Sequence, residues 1–435
     1  MPNFTEETIL HIYETLCDFH LNSLWFFEDS WDTIMLLTIK FLNSDEMSGN
    51  SKLVLAEFIQ MISENKKKLF TKNNCAYLKQ IIEIGFKLAS EPDQQFNEDG
   101  YSRNYLIFKL AYYIGMSIIE TFSQSISSKY VYPICSEWIQ KLVFSQNEFE
   151  RKAGVSAMGR ISEGCNERVL DNLEDYVNCL TNIFLKDTSN RVKEAAIVSM
   201  DHLVKNFSEI IDYHDKILPM LLAGLNDTTE TVVEYSLIEL KYFCNSIDIE
   251  IEPYLQELFN KISVLLDNHK SLVIKQEALS ALCAVINSGN KLVQNALLPV
   301  LTKCKEIIEL RTKEEEQTLR ANALNCVAEI AFVIKLESFQ PYISYFSQIA
   351  LDCLNTKRYE LVEAAFSYFG SIAQIMGEPF ADNLPILMPI SLELLKDDSG
   401  VNRIVKKDEY GLDSDSDDEE NEDDGKYCFL TLRRY

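Results

Sequence analysis

One helical pattern recurs along this chain at an interval of about 42 residues. Its clearest copy is Arg151 to Cys165, where we predict a single helix with Gly154, Met158 and Ile161 on one face. At intervals of 42, 40, 42, 45 and 42 residues, the position of Met158 returns as Met200, Leu240, Leu282, Val327 and Phe369. Such a recurrence constrains the fold strongly, because it indicates one structural unit stacked on copies of itself.

Two neighbouring columns repeat with this position. Four residues earlier the side chain is small, in the order Gly154, Ala196, Ser236, Ala278, Ala323 and Ala365. Three residues later it is apolar, in the order Ile161, Leu203, Phe243, Val285, Ile330 and Ile372. A period of roughly 40 to 47 residues built from helices is typical of HEAT and armadillo arrays. The sequence therefore predicts an all-α HEAT-repeat solenoid, in which short side chains let paired helices approach closely.

The array is predicted to consist of outer helices (A) and inner helices (B). After an opening helix over Thr5–His20, the first pairs are Ser30–Phe41 with Lys52–Asn65, Tyr77–Ala89 with Asn104–Phe122, and Tyr132–Phe144 with Arg151–Cys165. Later A helices are predicted near Leu173, Tyr213, Tyr254, Leu297, Pro341 and Leu384. The B helices that follow are predicted near Asn190, Glu230, Leu272, Glu316 and Tyr359. We assign residues 1–400 to the array and 401–435 to a separate tail.

Composition narrows the class of protein. Glycine (14) and proline (10) are scarce, which argues against an all-β fold. The net charge of −26 disfavours nucleic acid as a direct partner and favours a basic protein. The 11 cysteines are scattered without a CxxC pair, as expected for reduced thiols in the cytosol or nucleus. The most apolar run, Tyr105–Ile119, is too short for a membrane span.

The tail contains a dense acidic run. Residues 408–424 carry eleven acidic side chains and no basic one, so we predict a disordered segment. The central acidic residues are Asp413, Asp415, Asp417, Asp418, Glu419, Glu420, Glu422, Asp423 and Asp424. Ser414 and Ser416 each have an acidic residue three positions later, which suits an acidophilic kinase.

Motifs that carry chemistry are missing from the sequence. It contains no phosphate-binding glycine loop, no GxSxG and no HExxH. The five histidines show no metal-ligand spacing; they are His11, His20, His202, His214 and His269. We therefore expect a binding protein that is not an enzyme and needs no cofactor.

The exposed face of the B helices offers the best candidate site. Acidic residues recur there, and we predict a cargo-binding ladder of Glu194, Asp201, Glu234, Glu329 and Glu363. Adjacent helices lie roughly 10 Å apart, so such carboxylates can line up along one surface. A basic segment lying across them would gain several weak charge pairs. The alternative is that these residues form an ordinary solvated helix face.

Several segments resemble the importin-β (karyopherin-β) superfamily. ERKAGVSAMGRISEGCNERVLDNLEDYV is similar to one of its helix pairs, and KDTSNRVKEAA is similar to its turn in which Asp187 precedes Arg191 and Val192. DKILPMLLAGLNDTTETV resembles the next helix and turn. EQTLRANALNCVAEIAFVIKLESFQPY, LPILMPISLELLK and the acidic run before Lys426 follow the order found in the branch of importins four and five. The resemblance covers most of the chain, as an interior section of a longer receptor.

The resemblance implies a nuclear transport receptor, acting as a monomer that shuttles between cytoplasm and nucleus. Its implied partners are basic cargo such as ribosomal proteins or histones, Ran-GTP, and the Phe-Gly nucleoporins of the pore. The family's first repeats and its C-terminal half have no counterpart here, so a truncated form is expected. The alternative is a HEAT-repeat scaffold, such as a phosphatase regulatory subunit.

Overall fold

A computed structural model describes residues 5–23, 30–92, 104–246, 252–289, 294–310, 313, 316–356 and 358–396. The chain divides into two compact units, Met1–Val293 and Gln294–Tyr435. Within the described residues, the regular structure consists of helices, without a β-strand. The predicted all-α fold is therefore confirmed for the described part of the chain.

The first unit is a stack of helix pairs. In chain order its helices are α1 (Glu6–Ser23), α2 (Trp31–Leu42), α3 (Gly49–Asn65), α4 (Lys67–Thr71), α5 (Ala76–Ala89), α6 (Asn104–Ser125), α7 (Ser128–Val143), α8 (Glu148–Arg160), α9 (Asn166–Leu170), α10 (Leu173–Lys186), α11 (Asn190–Asn206), α12 (His214–Gly224), α13 (Glu230–Ser246), α14 (Glu252–Asn268) and α15 (Leu272–Gly289). A B layer of α1, α3, α6, α8, α11, α13 and α15 packs helix against helix. The A layer comprises α2, α5, α7, α10, α12 and α14, each packed on the B helix that follows it.

The second unit continues the same alternation. Its helices are α16 (Gln294–Leu310), α17 (Gln317–Leu354), α18 (Tyr359–Met376) and α19 (Leu384–Leu394). The backbone of Lys335 has a φ of 64°, which breaks α17 into a B part and an A part. The predicted starts near Glu316 and Pro341 correspond to these two parts.

Burial confirms the repeat phasing. All eighteen residues in the three repeating columns, from Gly154 to Ile372, are buried. A Cβ added to Gly154 would lie 2.9 Å from the Val143 nitrogen of α7. A Cβ added to Gly224 of α12 would lie 2.0 Å from the Ser236 Oγ of α13. The small column therefore marks the close crossing of A and B helices, as predicted.

The prediction of one helix from Arg151 to Cys165 is wrong at its C-terminal end. Helix α8 ends at Arg160 and a turn follows, in which the Cys165 amide donates to the Ile161 carbonyl at 2.9 Å. An added Cβ on Gly164 would lie 2.2 Å from the Ser123 carbonyl group, so this turn presses directly on α6. The apolar spacing continues through the turn because Ile161 and Cys165 remain fully buried.

Ser156 lies on α8 roughly opposite Gly154 and Met158, yet it is buried as well. Its Oγ accepts a hydrogen bond from the Tyr112 hydroxyl of α6 at 2.7 Å. Because α8 packs against α6, α7 and α11, most of its circumference is covered. A single apolar stripe underestimates the burial of such a helix.

An ion pair joins α8 to the following repeat. Arg151 Nε and Nη2 donate to the Asp187 carboxylate at 2.7 and 3.0 Å. Asp187 also accepts the Ser189 amide at 2.8 Å, just before α11 begins. Burial acts to raise the pKa of Asp187, but the hydrogen bonds from Arg151 and Ser189 outweigh it and leave the pKa below its usual value. We call this arrangement a repeat clamp, because it ties a B helix to the next A-to-B turn.

The next joint between repeats has the same clamp. Lys193 Nζ donates to Asp227 Oδ2 at 2.8 Å, and Asp227 accepts the Thr229 amide at 2.9 Å. Burial again acts to raise the pKa of Asp227, and the hydrogen bonds from Lys193 and Thr229 hold it lower. Both lysine and arginine thus serve as the donor.

Substitution of Ala278 by leucine tests the packing of the small column. Ala278 lies on α15 with no exposed surface. We expect the Ala278→Leu variant to lose about 1–3 kcal/mol of stability in urea denaturation, because the added carbons overpack the helix crossing. Val264→Leu on α14, where the side chain is 56% exposed, is the control and should change stability little. Equal stability of the two variants would contradict the phasing.

Candidate functional site

The five predicted carboxylates fall into two sets. Glu194 and Asp201 lie on α11 and Glu234 on α13, whereas Glu329 lies on α17 and Glu363 on α18. Glu363 is exposed and the other four are half-buried. Each unit therefore presents its own predicted carboxylates, and those of the first unit lie on neighbouring B helices.

An acidic cluster lies between α13 and α15. Burial raises the pKa of Glu234, and the charges of Glu277 and Glu230 raise it further. Lys241 Nζ approaches Glu277 at 3.9 Å, and His269 Nε2 lies 3.9 Å from Glu230. Because the negative charges of Glu277 and Glu230 disfavour ionisation of Glu234, a cation bound beside them would favour it. We call Glu230, Glu234 and Glu277 the acidic cluster.

The two predicted carboxylates on α11 already have partners within the chain. Glu194 accepts a hydrogen bond from the Thr231 hydroxyl of α13. Asp201 Oδ2 accepts from Lys205 Nζ at 2.7 Å. Lys205 Nζ also lies 4.3 Å from the centre of the Tyr242 ring on α13. A partner that binds Asp201 must therefore compete with a lysine of the chain itself.

Asp201 belongs to a charged row that sequence reasoning mostly missed. The row consists of Glu120 on α6, Arg160 on α8, Asp201, His202 and Lys205 on α11, and Glu239 on α13. Arg160 Nη1 donates to Glu120 at 2.7 Å. Burial lowers the pKa of His202, and the charge of Arg160 lowers it further, while Glu120 acts in the opposite direction. Charges of opposite sign thus balance one another along the row.

Glu239 is the unusual member of the charged row. Its side chain is 1% exposed, and neither carboxylate oxygen has a hydrogen-bond partner if both Glu239 and Asp201 are ionised. Asp201 Oδ1 is buried without a partner on the same assumption. Burial raises the pKa of Glu239 well above its usual value, and the neighbouring Asp201 raises it further. A proton on Glu239 that is donated to Asp201 gives a partner to Asp201 Oδ1 and to one of the two Glu239 oxygens.

The repeat columns contain the signal that would have found Glu239. One residue before the position of Met158, the columns give Ala157, Ser199, Glu239, Ala281, Cys326 and Tyr368. All six are 1% exposed or less. A carboxyl in a column that is otherwise buried is the type of exception that marks a special group.

The remaining predictions concern the acidic tail, metal binding and membrane spans. The acidic residues Asp413 to Asp424, with Ser414 and Ser416, lie outside the described residues. Across the described ranges, no group of three or more His, Cys, Asp or Glu side chains is arranged to hold a metal ion. The helices in those ranges also include none that is long and apolar enough to cross a membrane.

The chain is similar to known importins in sequence. Importin subunit beta-3 of Saccharomyces cerevisiae is 20% identical over 411 residues, which cover 89% of this chain and 37% of that protein. Importin-4 of Homo sapiens is 22% identical over 319 residues, covering 72% of this chain and 29% of the relative. No protein-family model matches the sequence. The matched part of the chain thus spans between 23% and 37% of the length of curated relatives such as these.

Solved structures share the fold. Kap121p bound to Pho4p and Kap121p bound to Nup53p each superpose with a TM-score of 0.78 at 18% identity and cover 88% of this chain. The match covers 38% and 37% of those two chains. The HEAT-repeat solenoid predicted from the periodicity is therefore confirmed. So is the predicted resemblance, which extends along most of the chain: this protein resembles the importin-β superfamily, in its branch of importins four and five.

Proposed function

We propose that this chain is an importin-β-like nuclear transport receptor that binds basic cargo on the exposed face of its B layer. The cargo class is a lysine-rich segment, such as those of ribosomal proteins or histones. Ran-GTP would release the cargo, and Phe-Gly nucleoporins would carry the receptor through the pore between cytoplasm and nucleus. The similarity to importins along most of the chain supports this role.

The acidic cluster is the observation that carries the proposal. Burial raises the pKa of Glu234, and the nearby charges of Glu277 and Glu230 raise it further. A lysine ammonium placed among them would gain charge pairs and favour ionisation of Glu234. Glu194, Asp201, Glu329 and Glu363 are proposed as further contacts along the B helices. Long-range attraction by the chain's net charge of −26 would speed the encounter.

Removal of the cluster charges tests the binding site. We expect the triple variant Glu230→Gln, Glu234→Gln and Glu277→Gln to bind a lysine-rich import-signal peptide about tenfold more weakly at low salt, as measured by fluorescence anisotropy. The glutamines keep the side-chain volume and remove the charge. Raising the salt concentration should reduce the difference in peptide affinity between the variant and the wild-type chain.

A matched variant distinguishes the effect of the acidic cluster on peptide affinity from the effect of the chain's net charge. Glu167, Glu209 and Glu257 are exposed and lie on α9, in the turn before α12, and on α14. Changing these three to glutamine removes the same charge from outside the B layer and should leave peptide affinity nearly unchanged. Equal losses in both triple variants would show that the peptide responds only to overall charge and would overturn the proposed site.

The partners distinguish this role from that of a scaffold. The immobilised chain should retain ribosomal proteins, histones and Phe-Gly repeats, and Ran-GTP should elute the cargo. A stable stoichiometric enzyme complex in their place, such as one with a phosphatase catalytic subunit, would favour the scaffold alternative. Sedimentation should show a monomer without cargo.

A further inference from the structure

The third joint in the clamp series has different chemistry. In the first two clamps, the basic residue lies seven positions before Met158 and Met200, and the aspartate lies three before the next B helix. The equivalent positions at the following joint are Val233 on α13 and His269 before α15. Val233 is 3% exposed and its side chain has no hydrogen-bond donor. The charge pair of the clamp is therefore not formed by these two positions.

His269 retains half of the clamp. Its Nδ1 accepts the Ser271 amide at 3.2 Å, as Asp187 and Asp227 accept theirs at 2.8 and 2.9 Å. Its Nε2 lies 3.9 Å from Glu230 Oε1, and the Glu230 side chain is 66% exposed. A long contact to an exposed carboxylate contributes little compared with a half-buried ion pair. The turn before α15 is thus capped, but His269 does not form the half-buried ion pair of the first two clamps.

The B layer remains tightly packed at the same joint. Leu240 of α13 and Leu282 of α15 have no exposed surface. Ser288 Oγ donates to the Cys244 carbonyl across these helices at 2.8 Å. On the A side, Lys261 Nζ donates to Asn226 Oδ1 at 2.5 Å, and α12 and α14 touch lightly. The joint is therefore strong at its inner layer and lacks the clamp at its turn.

We propose that the joint between the α12–α13 and α14–α15 repeats is a built-in hinge, which bends through the missing clamp at Val233 and His269. The packed α13–α15 contact is the pivot of this hinge. Helices α12 and α14 move away from or towards each other as it bends. Such a motion changes the curvature of the first unit, because small rotations between repeats accumulate along a solenoid. The inference depends on the fold alone and is independent of what the chain binds.

Hydrogen exchange at three equivalent amides tests the hinge. The Ser189, Thr229 and Ser271 amides occupy the same place in three successive turns. In the wild-type chain we expect the Ser271 amide to exchange on the order of tenfold faster than the other two, because local opening is easiest where fewest contacts must break. NMR or mass spectrometry resolves these turns.

Exchanging the clamp chemistry between joints sharpens the test. The double variant Val233→Lys with His269→Asp restores the clamp, and should slow exchange at Ser271 by about tenfold. The double variant Lys193→Val with Asp227→His moves the hinge chemistry to the previous joint, and should speed exchange at Thr229 by a similar factor. The single variants should each show less than half of the logarithmic change, since both partners are needed.

Two results would overturn the hinge. One is equal exchange at the three amides in the wild-type chain. The other is a folded clamp-restored variant whose Ser271 exchange is unchanged. If the Val233→Lys substitution prevents folding, the test uses the double variant Lys193→Val with Asp227→His instead. Exchange at the Thr229 amide that is unchanged from the wild-type chain would then contradict the hinge.

Discussion

The Glu239→Gln variant is expected to be more stable than the wild-type chain at neutral pH and equally stable near pH 4. Glutamine has the shape of a protonated glutamate, and its amide can donate to Asp201 in place of the carboxyl proton. At neutral pH, folding requires Glu239 to keep a proton that the unfolded chain has lost, which costs about 1.4 kcal/mol for each pH unit above the usual carboxyl pKa, and glutamine avoids this cost. Urea denaturation over a pH series measures the difference.

The sign of the pH dependence follows from the raised pKa of Glu239. The folded chain keeps the proton to a higher pH than the unfolded chain, whose carboxyl titrates at its usual value of 4.5. The wild-type stability therefore falls relative to the variant as pH rises above that value, by about 1.4 kcal/mol per pH unit. The stability of the wild-type chain stops falling relative to the variant once the pH exceeds the pKa of Glu239 in the folded chain.

A second substitution separates the proton from packing. Glu239→Leu leaves Asp201 Oδ1 without a donor, so this variant should be less stable than the glutamine variant at every pH. A difference between Glu239→Gln and wild type that does not change with pH would contradict a shared proton. So would a glutamine variant that is less stable than wild type at neutral pH.

The Gly115→Ala variant is expected to be destabilised by about 1–3 kcal/mol, although alanine is the better helix former. Gly115 lies on α6, where an added Cβ would be 2.3 Å from the Gly85 carbonyl oxygen and 2.7 Å from the Ala89 nitrogen of α5. Both neighbouring atoms belong to the backbone, so a side-chain rotation cannot relieve the contact. Helix α5 must move as a whole, which disturbs the packing of its repeat.

Gly370 provides the matched control. It lies within α18, and an added Cβ there would have no neighbour within 4 Å. The Gly370→Ala variant should therefore gain about 0.5–1 kcal/mol from reduced backbone entropy in the unfolded chain. Calorimetry on both variants measures opposite shifts in the unfolding temperature. Shifts of the same sign would show that the α5–α6 crossing is looser than the structure has it.

The architecture could be predicted from sequence because the same helix pair occurs many times along the chain. The B helices α11, α13, α15 and α18 begin at the predicted residues, as do the A helices α10 and α19. A misleading residue in one repeat matters little when the other repeats show the same pattern. The small column, for example, is buried in every repeat. The C-terminal end of α8 was mispredicted because Ile161 and Cys165 keep the apolar spacing after the helical hydrogen bonds have ended.

The site was less predictable because its contacts cross between repeats. Asp201 is predicted as part of the cargo-binding ladder, yet within the chain it already contacts Lys205 on the same helix and Glu239 on α13. Which of several charged neighbours a side chain meets depends on the relative rotation of stacked helices, and the periodicity alone does not give this. The acidic cluster likewise forms from Glu230, Glu234 and Glu277 only once α13 and α15 are in register.

Photo-crosslinking of a lysine-rich import-signal peptide to the intact chain tests the central claim most directly. A benzophenone group placed beside the lysines of the peptide would mark the surface that receives them, and mass spectrometry would locate the adducts. We expect adducts on α11, α13 and α15, concentrated around the acidic cluster, and their loss in its triple glutamine variant. Adducts spread over the A helices, or equal labelling of that variant, would contradict cargo binding by the B layer.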